Sequence, residues 1–199
     1  MIRKLINPFR HIAGIKSIIL GIIIIFATSI VGYYSHTHFP DTISIKTSPE
    51  FSFWYFVIQN YSNWFVVATL FYTASIIFSK SSVRLVDVYG TQALARFPYF
   101  IASFVGFSET LSAFSKYLLW TLMKQGEPIE ISAIQIITAI LIMVFSIMLT
   151  IWLITLMFNA FKISANIKGI KLILIFIIVL IISLLLSGFL TKMLILKFQ

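Results

Sequence analysis

Two long apolar stretches in the second half of the chain contain no charged residue in their interiors. One runs from about Ser132 to Phe158, and the other runs from about Lys171 to Leu190. A helix needs about 20 apolar residues to cross a hydrocarbon core of about 30 Å, because each residue adds about 1.5 Å of length. Both stretches meet that requirement, and the sequence therefore predicts an integral membrane protein built from helices.

The composition supports this fold class. Hydrophobic residues make up 60% of the 199 residues and charged residues only 11%, whereas soluble domains contain roughly 45–50% apolar and about 25% charged residues. So few charged side chains cannot cover a water-soluble particle of this size. We therefore expect residues 1–199 to form one membrane domain. The chain has no cysteine, which excludes disulfides and thiolate metal ligands.

Three further spans are predicted upstream. The first covers residues 15–34, and the second covers residues 62–79 after an aromatic stretch that lies at the interface or extends the helix. The third, residues 97–118, is interrupted by Glu109 and Lys116, and Pro98 is acceptable only in its first turn. The alternative for this segment is a re-entrant or surface-lying helix, which leaves four spans in total.

The distribution of charge favours five spans. With residues 132–158 and 171–190 as the fourth and fifth spans, ten basic residues and one acid, Asp87, fall on one face of the membrane. The other face then has five basic and five acidic residues. Basic residues concentrate in cytoplasmic loops. The sequence therefore predicts an all-α bundle of five transmembrane helices with a cytoplasmic N-terminus and a C-terminus on the outer side.

Residues typical of catalysis or cofactor binding are not arranged in any familiar pattern. We find no nucleophile, phosphate-binding or metalloprotease motif, and no ionisable residue in the middle of a predicted span. The sequence therefore predicts no enzyme activity and no cofactor. His36, His38 and Asp41 present a weak alternative, a metal site, against a polar loop after the first span. The net charge of +9 is explained by the topology and does not indicate nucleic-acid binding.

The loop from Lys80 to Pro98 contains the most distinctive residues of the predicted cytoplasmic face. We expect Gly90 to provide a turn with positive φ and Thr91 to cap the helix that follows. Asp87 is expected to stabilise this turn through backbone hydrogen bonds or an ion pair with Arg84 or Arg96, and Tyr89 is expected at the level of the lipid headgroups. A rigid hairpin between spans and a binding site are both compatible with these residues.

Small residues also recur four positions apart within the spans, a spacing that lets helices approach closely in lipid. We expect these pairs to pack within one chain, with an interface between copies as the alternative. The pairs are Ser17/Gly21, Thr28/Gly32, Thr69/Thr73, Ala102/Gly106 and Ser183/Ser187.

The same loop resembles the Yip family, membrane proteins named for their interaction with Ypt/Rab GTPases. The family motif Asp-Leu-Tyr-Gly-Pro is similar to the stretch from Asp87 to Thr91, with valine and threonine in place of leucine and proline. Asn7-Pro8-Phe9, the approach through Arg96 and Pro98, the turn between Phe158 and Lys171 and the five-span layout also resemble bacterial members.

The resemblance implies a non-catalytic membrane scaffold or adaptor, which in eukaryotic relatives serves vesicle trafficking. Its implied site comprises Arg84, Asp87, Tyr89, Gly90, Arg96 and Pro98. The expected partners are the lipid bilayer, anionic lipid at the basic cytoplasmic face, and a membrane protein or a second copy of the chain. The high content of Ile, Phe and Lys suits an AT-rich bacterium, hence a bacterial inner membrane. The alternative function is a passive channel or transporter for a neutral or lipidic solute.

Overall fold

The computed structural model describes residues 6–47, 50–127 and 130–198, the side chain of Arg10 excepted. Its elements are mainly helices, as predicted. They are α1 (Ile15–Ser35), α2 (Phe53–Phe78), α3 (Leu85–Leu94), α4 (Phe97–Ala102), α5 (Glu109–Met123), α6 (Ala133–Ala165) and α7 (Gly169–Phe198), with 3-10 turns at Pro8–Arg10 and Ser103–Phe107. Strands β1 (Thr37–His38) and β2 (Lys46–Thr47) form one short antiparallel pair.

Four of the described helices, α1, α2, α6 and α7, are long and apolar enough to cross a membrane. They correspond to the first, second, fourth and fifth predicted spans. Helix α2 begins at Phe53 and so includes the aromatic stretch before residue 62. Helix α6 starts with a capping box in which Ser132 and Gln135 exchange hydrogen bonds, and this satisfies backbone groups that would otherwise lack partners.

The expected third span, residues 97–118 as one helix, differs from the structure. Ser108 is extended, with φ −88° and ψ 109°, and separates the turn that ends at Phe107 from α5. None of the residues of α5 is buried. The helical path instead begins earlier, at Leu85, and we call residues Leu85–Phe107 the central segment. Its only interruption, at residues 95–96, has a local cause, because Pro98 lacks an N–H group and its ring excludes a straight helix through this point.

The central segment runs beside α1 in the same direction along its length. Near the start of α1, Ser17 and Ile18 face Gly90. Further along, Gly21 faces Ala93, and at the end of α1 the Ser35 hydroxyl donates to the Ser103 carbonyl at 2.6 Å. Glycine and serine at these contacts let the two backbones approach closely. The close packing expected for Ser17 and Gly21 therefore occurs within one chain, against Gly90 and Ala93.

The segment between α1 and α2 is a hairpin that folds back into the bundle, whereas the sequence favoured a polar loop. His36 turns the chain with φ 54°, β1 and β2 pair, and the tip carries buried Phe39 and Thr42. Asp41 shapes the tip, because its Oδ1 accepts hydrogen bonds from the backbone N–H groups of Ile43 and Ser44 at 2.8 Å. We call residues Thr37–Thr47 the re-entrant hairpin.

The main apolar core is formed by α2, α6 and α7 and extends into the central segment and the hairpin tip, for example at Tyr99 and Phe39. Phe71 packs against Phe161 and Phe176, with ring centroids 4.9 and 5.5 Å apart. At the start of α2, Tyr55 and Phe56 form a smaller cluster with the last turns of α7. Buried polar side chains also lie inside the bundle, among them Asn60, Asn63 and Arg96.

Candidate functional site

The residues of the Yip-like loop do not converge on one site. Arg84 is exposed, and its Nε lies 3.8 Å from Oδ2 of Asp87, which forms the only salt bridge among the described residues. Gly90 lies inside α3, and positive φ is found instead at Gly14, Gly126 and Gly169 among the described glycines. The predicted turn at Gly90 is therefore wrong. Glycine is needed at position 90 because a Cβ atom there would lie only 2.9 Å from the backbone nitrogen of Ile18 in α1.

Tyr89 and Thr91 also have roles other than those expected. The Tyr89 hydroxyl lies 2.7 Å from Oγ1 of Thr69, and Trp64 Nε1 donates to the Tyr89 carbonyl at 3.1 Å, so the residue packs against α2. Thr91 does not begin a helix. Its hydroxyl donates to the Asp87 carbonyl at 2.7 Å and lies 3.0 Å from Oγ of Ser164. The motif therefore forms a helix whose faces contact α1, α2 and α6.

Arg96 occupies the most unusual position in the described chain. Its side chain is 4% exposed and lies with Tyr99 beside Ile25, Thr28 and Asn60, at the level of the middle of α1. The guanidinium carbon is 5.7 Å from the centroid of the Tyr99 ring, and Nη1 has no hydrogen-bond partner. The gap between these five side chains has no room for a water molecule.

Two expectations about Arg96 are thereby corrected. Arg96 lies inside the bundle and not on the predicted cytoplasmic face, and it does not pair with Asp87. An ionisable residue therefore does lie deep in the bundle. The reason is that the helical path begins at Leu85, so Arg96 and the buried Pro98 lie about half-way along the central segment. A charged group at this depth is costly and by default marks a functional site in membrane proteins. Arg96 is therefore the central residue of the candidate site.

The re-entrant hairpin is connected to α2 by buried hydrogen bonds. His38 Nδ1 lies 2.9 Å from the Tyr55 hydroxyl, to which Gln59 Nε2 donates at 2.8 Å. Gln59 Oε1 accepts from the Phe39 N–H group at 3.3 Å. Burial, with a smaller contribution from nearby Lys46, lowers the pKa of His38 to about 4. The ring is therefore neutral at physiological pH, which suits acceptance of a hydrogen bond at Nδ1.

The tip of the hairpin is bound by three different parts of the chain. Asn63 of α2 donates to the Phe39 carbonyl at 2.6 Å, and Tyr99 of α4 donates to the Thr42 carbonyl at 2.5 Å. The Thr42 hydroxyl lies 3.1 Å from that of Ser187 in α7. Non-helical backbone is tolerated at membrane depth only where protein or a water-filled cavity surrounds it. These contacts supply that protein surrounding.

The sequence contains a signal for this hairpin that the expectation of a polar loop overlooks. Gln59, Asn60 and Asn63 are the amides of the largely apolar α2, and all three are buried. Amides in a membrane helix require hydrogen-bonding partners from neighbouring segments. The partners here include Ser29 of α1 and the backbone of Phe39. A polar stripe on the second span therefore indicates that a polar segment packs inside the bundle.

The alternative of a metal site at His36, His38 and Asp41 gains no support. The Asp41 carboxylate accepts hydrogen bonds from the hairpin tip, including one from the Ser44 hydroxyl at 2.6 Å, and His38 is bound to Tyr55. Across residues 6–47, 50–127 and 130–198, no group of three histidine, aspartate or glutamate side chains is positioned to hold a metal ion.

A groove of about 510 Å³ lies beside the hairpin, between α5 and α6. The hairpin contributes Thr37, Ile45, Lys46 and Thr47 to its wall, and α6 contributes Met143, Ser146 and Ile147. A second cavity of about 250 Å³ shares Ile45, Ser146 and Ile147 with the first and continues along α6 to Ile151. The groove therefore follows the side of the bundle, whereas Arg96 and the hairpin tip lie in the interior of the bundle.

The candidate site thus combines a deeply buried arginine, a hydrogen-bonded re-entrant hairpin and a lateral groove. Comparison of the chain with protein-family models, with curated proteins and with solved structures found no match.

Proposed function

We propose that the chain is a five-span protein of a bacterial inner membrane, with the central segment as its third crossing. This arrangement is supported by the parallel course of the central segment and α1, from the contact of Gly90 with Ser17 to that of Ser103 with Ser35. The central segment has 23 residues, and about 20 suffice to cross the hydrocarbon core.

The basic residues are consistent with this topology. Lys80 and Arg84 precede the central segment, while Lys162, Lys168 and Lys171 lie between the fourth and fifth crossings, so all five fall on the predicted cytoplasmic face. Each basic residue near an anionic surface contributes about 1 kcal/mol to lipid attraction. Even when Arg96 is not counted on this face, the face keeps its excess of positive charge. The bundle is therefore oriented with its N-terminus inside and its C-terminus outside.

Within this arrangement the protein acts as a non-catalytic scaffold or adaptor, the role that the Yip resemblance implies. The observation that carries this proposal is the packing of the bundle interior, where the re-entrant hairpin is bound to α2, α4 and α7 through Asn63, Tyr99 and Ser187. Polar side chains that bind one another do not provide a passage for solutes. The exposed Arg84 and the basic face remain accessible to anionic lipid and to a membrane-protein partner.

The alternative, passage of a lipidic solute, is favoured by one feature, the lateral groove along α6. A flux experiment separates the two functions. Vesicles that contain the purified protein should retain glycerol and a small trapped dye as long as protein-free vesicles do, and should move a fluorescent phospholipid between leaflets no faster. Cross-linking in native membranes should also recover a specific partner, with less recovered for Arg84→Glu. Accelerated release or lipid exchange would instead establish the transport function.

A further inference from the structure

The groove between α5, α6 and the hairpin has walls of two chemical kinds. Most of its lining is apolar, with Ile45, Leu111, Phe114, Leu118, Met143 and Ile147 among the side chains. Lys46 is the one charged residue among the described residues that line it. The volume of about 510 Å³ falls within the roughly 300–1,000 Å³ of ligand sites in proteins. The groove therefore fits a ligand with a long apolar part and a single anionic group.

The position of Lys46 gives the groove a direction. Lys46 lies in β2 and pairs with His38 where the hairpin leaves α1, whereas the second cavity continues along α6 toward Thr150 and Ile151. Lys46 thus lies next to Ile45, which borders both cavities, and apolar side chains extend from there along α6. The flank of α6 beside it is apolar and exposed, as at Val144, Met148 and Ile151. In a bilayer such a flank faces acyl chains.

Polar groups near Lys46 are also available to a ligand. The hydroxyls of Thr47, Ser115 and Ser146 line the groove. The Thr37 side chain lines it as well, is 1% exposed, and has no hydrogen-bond partner for its Oγ1 within the described ranges. Buried hydroxyls are almost always paired in native proteins. Thr37 therefore places a buried hydroxyl without a partner in the described ranges in the groove wall, as part of the strand pair that carries Lys46.

We propose that this groove binds one anionic phospholipid, with an acyl chain along α6 and its phosphate at Lys46. The placement in the outer leaflet rests on the proposed topology, whereas the binding itself does not. Lys46 supplies the charge that selects an anionic over a zwitterionic headgroup, and one lysine near the surface is worth about 1 kcal/mol, or about a five-fold preference. The bound lipid would also fill the space between α5, which has no buried residue, and α6.

Photo-cross-linking in vesicles tests this site. The probes are phosphatidylglycerol and phosphatidylcholine, each with a diazirine in one acyl chain and present in both leaflets, and the cross-linked peptides are mapped by mass spectrometry. Wild-type protein should be labelled at Leu118, Met143 or Ile147, and about five-fold more by phosphatidylglycerol. Lys46→Glu should abolish that preference. Lys192→Glu, which removes an exposed lysine outside the groove, should retain it.

A further variant separates a built site from ordinary contact with the bilayer. Ser146→Trp should fill the groove and reduce labelling by both probes at these positions. Equal labelling by the two probes, unchanged selectivity in Lys46→Glu, or labelling spread evenly along the exposed flank of α6 would each overturn the proposal. Because the probes occupy both leaflets, the result is independent of the number of membrane crossings and of any scaffold role.

Discussion

Replacing Gly90 by alanine should strongly destabilise the protein, although alanine is the better helix former. A Cβ atom at this position would clash with Oγ of Ser17 and would lie 2.9 Å from the backbone nitrogen of Ile18. A side-chain hydroxyl can rotate away, but the α1 backbone can yield only if the two helices separate. Overpacking of this kind costs typically about 1–3 kcal/mol and occasionally more. We expect the thermal unfolding temperature of the detergent-extracted protein to fall markedly.

Gly188 provides the matched control for this substitution. It is also a helical glycine, in α7, but its added Cβ would have Asp41 Cβ as its nearest neighbour at 3.9 Å, an ordinary contact. Gly188→Ala should therefore leave stability unchanged or raise it. Asp87→Ala should also have little effect, because its ion pair is long, at 3.8 Å, and is made with an Arg84 side chain that is 75% exposed. Such surface pairs are worth about 0–1 kcal/mol. Equal melting temperatures for Gly90→Ala and Gly188→Ala would show that α1 and the central segment are not packed as described.

Replacing Arg96 by methionine should stabilise the protein. Arg96 is 4% exposed, its Nη1 has no hydrogen-bond partner within the described residues, and the gap beside it does not admit water. Methionine has a similar length and no charge to bury. Replacement of a buried ion pair by apolar residues of similar volume is often neutral or stabilising, by about 1–4 kcal/mol. Arg96 has no acidic partner among the described residues that its removal would leave unpaired. We expect Arg96→Met to unfold at a higher temperature than the wild type.

The control for this prediction is Arg84→Met, in which an arginine 75% exposed is replaced. Surface substitutions of this kind usually change stability by less than about 0.5 kcal/mol. If Arg96→Met unfolds at a clearly lower temperature than Arg84→Met, the guanidinium must be stabilised by interactions stronger than its contact with the Tyr99 ring. If Arg96→Met is more stable but no longer recovers the cross-linked partner, Arg96 has a role in function. Its buried charge is then kept in the wild type at a cost in stability.

The sequence predicts well those features that depend on local hydrophobicity. Helices α1, α6 and α7 are apolar over at least 20 residues, so length and composition alone identify them. The small residues Ser17 and Gly21 also indicate a close helix contact, since packing in lipid rewards small side chains. The contact partner was not predictable in this way. Ala93 and Gly90 lie in a stretch with two arginines and an aspartate, which by composition resembles a loop.

The central segment and the re-entrant hairpin illustrate why the rest of the fold was missed. The hairpin and the first half of the central segment are polar enough to be assigned to water, yet several of their polar groups are paired inside the bundle with residues distant in sequence. Tyr99 binds the Thr42 carbonyl, and Thr42 in turn contacts Ser187. Hydropathy is an average over neighbouring residues, so it cannot identify hydrogen bonds between residues that are distant in sequence. Gly90 was expected to form a turn, whereas it lies inside α3, where close packing against α1 requires glycine.

The number of crossings can be measured directly because the chain contains no cysteine. Single cysteines are introduced at Ser81, before the central segment, and at Gln125, after α5, both at exposed positions. Sealed spheroplasts are then treated with a membrane-impermeant maleimide, before and after permeabilisation. If the central segment crosses the membrane, Gln125→Cys is labelled in sealed spheroplasts and Ser81→Cys only after permeabilisation. Protection of both cysteines in sealed spheroplasts would contradict the third crossing and the five-span arrangement built on it.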